Sequence, residues 1–134
     1  MRTRQVRPEK MKYEFELHIS RGYDKIKEAD YILFDFITTK IFKSFIYTIN
    51  VTPQIDLPNK LIGFLVEGLS APVLSIAKSG NARYQYKLYG YSKTEYELRL
   101  SKPDVGKNLF KLKITEKSLK ITKEPSKKFI KVEV

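Results

Sequence analysis

The chain has 134 residues, with 26 Lys and Arg against 15 Asp and Glu, one His, and neither Cys nor Trp. This length suits one domain with a single core, which buries enough surface to fold without a covalent or metal crosslink. The lack of Cys excludes disulfides, thiolate zinc sites and a cysteine nucleophile, and a single histidine, His18, excludes a His-rich metal site. We expect no cofactor.

The formal net charge of +11 is concentrated at the two ends of the chain. Residues 1–12 hold five basic residues and one acid, and residues 101–134 hold ten lysines and four acids. The long middle, 13–100, is close to neutral, with eleven basic and ten acidic residues. The distribution predicts a basic N-terminal arm over 1–12 and one folded domain over 13–134.

No segment approaches the roughly 18 consecutive apolar residues of a membrane span. The first ten residues are polar and basic, with no apolar stretch after them. We therefore expect a protein of the cytoplasm or of a virion, without a membrane partner and not secreted.

Hydrophobic periodicity predicts strands in the first half of the chain. Residues 13–19 alternate apolar and polar side chains, as a strand with one wet face does. Residues 31–37 are apolar on both parities, which predicts an interior strand, and a further strand is predicted over 41–51. Residues 24–33 form the one segment whose apolar side chains are also spaced as in a short helix.

Proline, glycine and asparagine punctuate the rest of the chain. Pro53 and Pro58 predict a break across 52–59, and residues 79–81 predict a turn. The remaining apolar or alternating runs predict strands, at 61–69, 73–77, 84–88, 96–100, 110–114, 119–121 and 130–134. Short strands in this number predict an all-β fold, an antiparallel β-sandwich that is jelly-roll-like, with about eight to ten strands.

Side chains that carry chemistry are few. Glu14 and Glu16, and also Glu95 and Glu97, place two carboxylates on one strand face, where a solvated surface is expected rather than a catalytic pair. His18 is predicted on the polar face of the first strand. No activated-serine motif, phosphate-binding loop or calcium loop is present, so no enzyme is predicted.

Basic and aromatic residues are the better candidates for contacts with a partner. Tyr84 and Tyr86 share the parity of Leu88 and are predicted to be core, whereas Tyr89 and Tyr91 lie on the opposite parity if Gly90 keeps the register. Aromatic rings among basic side chains are typical of single-strand binding, and they also suit a protein–protein contact or ordinary packing. The candidate contact residues are Arg2, Arg4, Arg7, Lys10, Tyr89, Tyr91, Lys111, Lys113, Lys120, Lys127 and Lys128.

Three classes of function follow from these observations. The first is a non-enzymatic structural or assembly protein, such as a small jelly-roll coat-type subunit of a virus. Such a protein associates with itself or with other protein subunits and turns its basic ends toward nucleic acid. The second is a stand-alone nucleic-acid-binding β-barrel protein. The third, an enzyme that uses the strand-face glutamates, has the least support.

Overall fold

The fold consists of β-strands in the part of the chain that the computed structural model describes. That part covers residues 15–46, 49–69, 73–103 and 105–134, with the backbone path alone for 40–46 and 73–82. The predicted arm, with Arg2, Arg4, Arg7 and Lys10, lies outside the described residues. The described residues form nine strands: β1 Phe15–Asp24, β2 Ala29–Ile46, β3 Ile49–Asp56, β4 Leu61–Leu69, β5 Val73–Leu88, β6 Glu95–Lys102, β7 Gly106–Ile114, β8 Leu119–Lys123 and β9 Ile130–Glu133.

The strands form two sheets that pack face to face as a β-sandwich, which confirms the predicted all-β fold. Sheet A has the strand order β5-β2-β1-β9, and sheet B has the order β3-β4-β6-β7-β8. Over the described residues the sheets do not close into a barrel, so the barrel fold in the second hypothesis is wrong. The described part also contains no helix that is long and apolar enough to cross a bilayer.

Both sheets are mixed, whereas a purely antiparallel sandwich was predicted. β1 pairs with β9 in parallel, and β4 pairs with β6 in parallel. Neither pair is joined by a direct hairpin: β5 of sheet A lies between β4 and β6 in the chain, and seven strands lie between β1 and β9. This arrangement departs from the antiparallel jelly roll.

The core lies between the sheets, and Phe64 of β4 joins them. Its side chain is fully buried, and its ring centroid lies 5.1 Å from those of Phe34 and Phe36 on β2. The ring of Tyr86 on β5 lies 5.5 Å away in an edge-on contact. Tyr84 and Tyr86 are partly buried and pack against this core, as their parity predicted.

A tight turn at residues 25–28 replaces the possible helix between β1 and β2. The Oδ1 atom of Asp24 accepts hydrogen bonds from the backbone N–H groups of Ile26 and Lys27, at 2.9 and 3.1 Å. Glu28 then adopts a left-handed conformation with φ of 51°. This Asp-centred turn closes a hairpin, and the helical spacing was misleading because Ile26 is 96% exposed.

The break predicted across 52–59 is confined to a turn at 57–60, and the turn predicted at 79–81 is absent. β3 continues through Pro53, which pairs with Phe64, because β3 is an edge strand of sheet B and proline is tolerated there. β5 likewise continues across residues 79–81, which pair with residues 41–43 of β2. Register shifts on either side of that pairing accommodate the irregular sequence.

Candidate nucleic-acid interface

Five lysines lie together on the outward face of sheet B. On β7 they alternate with the buried residues Asn108, Phe110, Leu112 and Ile114, so the period of two turns them away from the core. In the β7–β8 ladder, each of two pairs places a lysine opposite a lysine. We call this group the lysine strip, and its members are Lys107, Lys111 and Lys113 on β7 and Lys120 and Lys123 on β8.

Like charges face each other across the strip. Lys111 pairs with Lys123, and Lys113 pairs with Lys120. Directly opposed like charges on neighbouring strands destabilise a sheet. A bulge between residues 111 and 112 creates the first of these pairs, because it brings Lys123 rather than Thr122 opposite Lys111.

The nearest acids lie on the neighbouring strand and form no direct ion pair with the strip. Glu95 and Glu97 lie on β6 beside Lys113 and Lys111. Glu95 accepts a hydrogen bond of 2.8 Å from the hydroxyl of Thr122, and Glu97 forms an ion pair of 2.8 Å with Arg99. Among the described residues, the ion pairs within 4.0 Å involve none of the five lysines of the strip.

The predicted lysines divide into two groups. Lys111, Lys113 and Lys120 belong to the strip, whereas Lys127 and Lys128 lie in the segment before β9. Lys127 lines a shallow depression of about 310 Å³ together with Lys107, so it extends the positive surface past the end of β7. Lys128 is half-buried and forms an ion pair of 2.7 Å with Glu124, so it is engaged within the protein.

Two members of the strip, Lys107 and Lys123, were not singled out from the sequence. Lys107 has the same parity as Lys111 and Lys113, so the alternation along β7 was a usable signal. In a regular strand Lys123 would lie on the same side of β8 as Ile121, which is partly buried and packs against the core. Its place opposite Lys111 depends on the bulge, which the sequence did not indicate.

A polar depression of about 490 Å³ adjoins the strip on sheet B. Its charged lining balances, because three carboxylates meet three cations. The described residues contain no group of three acidic, His or Cys side chains placed to hold a metal ion. The charged residues that line the depression are Asp56, Glu95, Glu97, Lys60, Arg99 and Lys111.

His18 lies on the outward face of sheet A between two carboxylates. Its Nε2 is 3.0 Å from Oε1 of Glu16, and its Nδ1 is 3.3 Å from Oε2 of Glu133. A hydrogen bond from Lys131 and its charge hold the pKa of Glu133 below the usual value, and His18 contributes less. These contacts join β1 to β9 at the sheet edge and give His18 a structural place. Glu14 lies outside the described residues.

A guanidinium group fixes the turn at the end of the strip. Arg21 of β1 donates hydrogen bonds to the backbone carbonyls of Glu116 and Ser118, both at 3.1 Å, and also to the carbonyl of Thr115. These carbonyls belong to the turn between β7 and β8. Arg21 therefore anchors the hairpin of sheet B that carries the lysines to a strand of sheet A.

A second cluster lies on the outward face of sheet A and combines tyrosines with lysines. The ring centroids of Tyr31 and Tyr89 are 5.8 Å apart. The Nζ atom of Lys27 lies 4.2 Å from the centroid of Tyr89, and that of Lys87 lies 4.8 Å from the centroid of Tyr31. An exposed cation–π contact of this kind contributes about 0.5–1 kcal/mol. We call these four residues the tyrosine cluster.

Tyr89 therefore lies on the outward face as its parity predicted, but Tyr91 does not join it. Gly90 has φ of 71°, and β5 ends at Leu88, so the register does not continue through the glycine. Tyr91 is partly buried and packs against the core. Tyr31, which the sequence did not single out, takes the place beside Tyr89.

A hydrogen bond fixes Tyr89 to the β1–β2 turn. Its hydroxyl donates to Oδ2 of Asp24 at 2.8 Å, and this raises the pKa of the Tyr89 phenol. The pKa of Asp24 is lowered, first by the backbone N–H of Lys27 and then by the Tyr89 hydroxyl. The N–H of Ile26 and the charge of Lys87 act in the same direction, against the effect of burial.

These contacts predict a pH dependence on the acid side. Because the folded pKa of Asp24 is lowered, its ionised form stabilises the fold above the unfolded pKa of about 3.9, and this contribution disappears as the pH falls through the folded pKa. Asp24→Asn removes the charge, so the variant should be less stable than the wild type at pH 7. The difference should shrink toward pH 2.5. Urea unfolding at a series of pH values measures it, and a constant difference would contradict the assignment.

No family model, curated protein or solved structure matches this chain. The lysine strip and the tyrosine cluster are therefore interpreted from their geometry and charge.

Proposed function

We propose that the protein is a non-enzymatic nucleic-acid-binding protein whose lysine strip contacts the phosphate backbone. The observation that carries the proposal is the group of five outward lysines on β7 and β8, four of which face each other across the two strands. Among the described residues none of the five forms an ion pair within 4.0 Å. A polyanion supplies the missing negative charge and releases its counterions when it binds. The sequence places a further surplus of positive charge in residues 1–12.

Protection of a sheet edge accounts for part of the strip and not for the rest. β8 is an edge strand, and lysines on an edge prevent pairing with other chains. β7, however, is an interior strand between β6 and β8, so Lys107, Lys111 and Lys113 have no edge to protect. Their common outward orientation favours a binding surface.

The strip suits phosphates rather than bases. The aromatic residues of sheet B are Phe64, Tyr96 and Phe110, and all three are buried. Phosphate contacts position a nucleic acid and carry no sequence information by themselves. We therefore expect binding to duplex DNA or RNA with little dependence on sequence.

The salt dependence of binding to a duplex tests this function. Each neutralised phosphate contributes about −0.9 to the slope of log K against log salt, so the five lysines of the strip correspond to a slope of about −4.5. Fluorescence anisotropy with a labelled duplex, at salt concentrations from about 50 to about 400 mM, measures the slope. Binding that is absent at low salt, or that does not respond to salt, would refute the proposal.

A second candidate, assembly into a coat, is favoured by the β5 edge. The other edge strands have features that prevent pairing: β8 and β9 have five and four residues, and β3 contains Pro53. β5 has 16 residues and, among the described strands, pairs with β2 alone. We propose that a second copy of the chain pairs along this edge.

The mass of the purified protein in solution tests self-association. Sedimentation before and after nuclease treatment, and again at about 1 M salt, where charges on the surface are screened within about 3 Å, separates the two candidates. Assembly through the backbone of β5 should persist under both treatments. A monomer under all conditions would refute assembly through β5. Particles that dissociate when nucleic acid is removed would also refute it, and nucleic-acid binding would then be the one candidate that stands.

A further inference from the structure

We propose that the tyrosine cluster is a second nucleic-acid contact, which stacks unpaired bases on the face of the sandwich opposite the lysine strip. The inference takes its partner class from the proposed function and adds a site that recognises single strands. Three observations support the inference. The rings of Tyr31 and Tyr89 are held in place, they lie on the outward face of sheet A, and the ammonium groups of two lysines lie over them.

The rings are fixed before any ligand binds. Gly22 on β1 lies directly under Tyr31, since a Cβ atom at this glycine would lie 2.2 Å from Cζ of the ring. The ring of Tyr31 therefore extends across the neighbouring strand. Tyr89 is held by its hydrogen bond to Asp24, whose other oxygen accepts two N–H groups of the turn. Fixed rings bind without a large loss of side-chain freedom.

The lysines of the cluster suit an anionic aromatic ligand. Lys27 and Lys87 are exposed, and among the described residues neither forms an ion pair within 4.0 Å. Stacking of a base on an aromatic side chain is worth more than an exposed cation–π contact. A base can therefore displace the ammonium groups from the rings, and the ammonium groups then bind the phosphates on either side of it.

This combination selects a single strand over a duplex. In a duplex the faces of the bases are stacked on each other and are not open to a protein ring, whereas a single strand presents them. The two surfaces thus differ in what they recognise. The lysine strip reads phosphates in any nucleic acid, and the tyrosine cluster reads the faces of unpaired bases.

Tyr31→Leu tests the inference, with Tyr31→Phe as the matched control. Leucine still covers Gly22 but cannot stack, whereas phenylalanine keeps the ring. We expect Tyr31→Leu to weaken binding of a labelled oligothymidylate about tenfold and to leave binding of a duplex of equal length unchanged. Tyr31→Phe should bind both like the wild type, and thermal unfolding should show that both variants are folded.

The outcomes distinguish the two proposals. Unchanged single-strand affinity in folded Tyr31→Leu overturns the base site and leaves the lysine strip intact. An equal loss for single strand and duplex also overturns it, because the effect is then not one of stacking. Selective loss of single-strand binding in a protein that shows no salt-dependent duplex binding supports the tyrosine cluster and refutes the strip. If the wild type binds neither nucleic acid, both proposals fail.

Discussion

Replacement of Lys111, Lys113, Lys120 and Lys123 by glutamine should weaken duplex binding at least about 100-fold at low salt. These side chains form both lysine pairs across the β7–β8 ladder. Without them, up to four phosphates keep their counterions, so the slope of log K against log salt should flatten by about three to four units. Anisotropy titrations with one duplex at several salt concentrations measure both quantities.

Loss of net charge alone must be separated from loss of the strip. A control variant with glutamine at Lys25, Lys93, Lys102 and Lys131 removes the same charge from positions outside it. We expect the control to keep a slope close to that of the wild type. Equal slopes for the two variants would show that binding follows overall charge, and the strip would then not be a site.

Phe64→Ala should destabilise the fold by about 3–5 kcal/mol, the largest effect that we expect from a single substitution. The ring is fully buried and contacts aromatic rings of β2 and β5 across the interface between the sheets. Loss of the ring leaves a cavity between the sheets, because the neighbouring rings on β2 and β5 are fixed by their own strands and do not close it. The midpoint of urea unfolding should fall strongly, while the slope of the transition should stay nearly constant.

Ile26→Ala is the control for this substitution. Ile26 is as large and apolar as a core residue, but it is 96% exposed in the turn between β1 and β2. The variant should unfold within about 0.5 kcal/mol of the wild type. A loss of similar size in both variants would mean that the contact between the sheets at Phe64 does not hold the sandwich together.

Local alternation predicted the strands and the outward side of β1 and β7, but it placed neither Tyr91 nor Lys123 correctly. The parity of Phe110, Leu112 and Ile114 turned Lys111 and Lys113 to solvent, and the structure places them there. The helix allowed at residues 24–33 was wrong for a local reason as well. Helical spacing over one or two turns does not show whether an apolar residue is buried, and an Asp side chain that binds the turn N–H groups closes a hairpin instead.

The sequence did not predict which strands pair with each other. Tyr31 and Tyr89 are far apart in the chain and meet because β2 pairs with β5. The turn predicted at residues 79–81 was wrong for the same reason, and the break predicted across 52–59 begins only after Asp56. An edge position tolerates the proline, and a long partner strand carries β5 through its irregular stretch.

The sequence by itself determined that the chain forms strands, which side chains turn outward and where the positive charge is concentrated. Only the tertiary structure decided that lysine faces lysine across β7 and β8, that two strand pairs are parallel and that a second tyrosine lies beside Tyr89. The physical reason is that side-chain parity depends on adjacent residues. The neighbour of a strand depends instead on which edges remain open after the whole chain has packed.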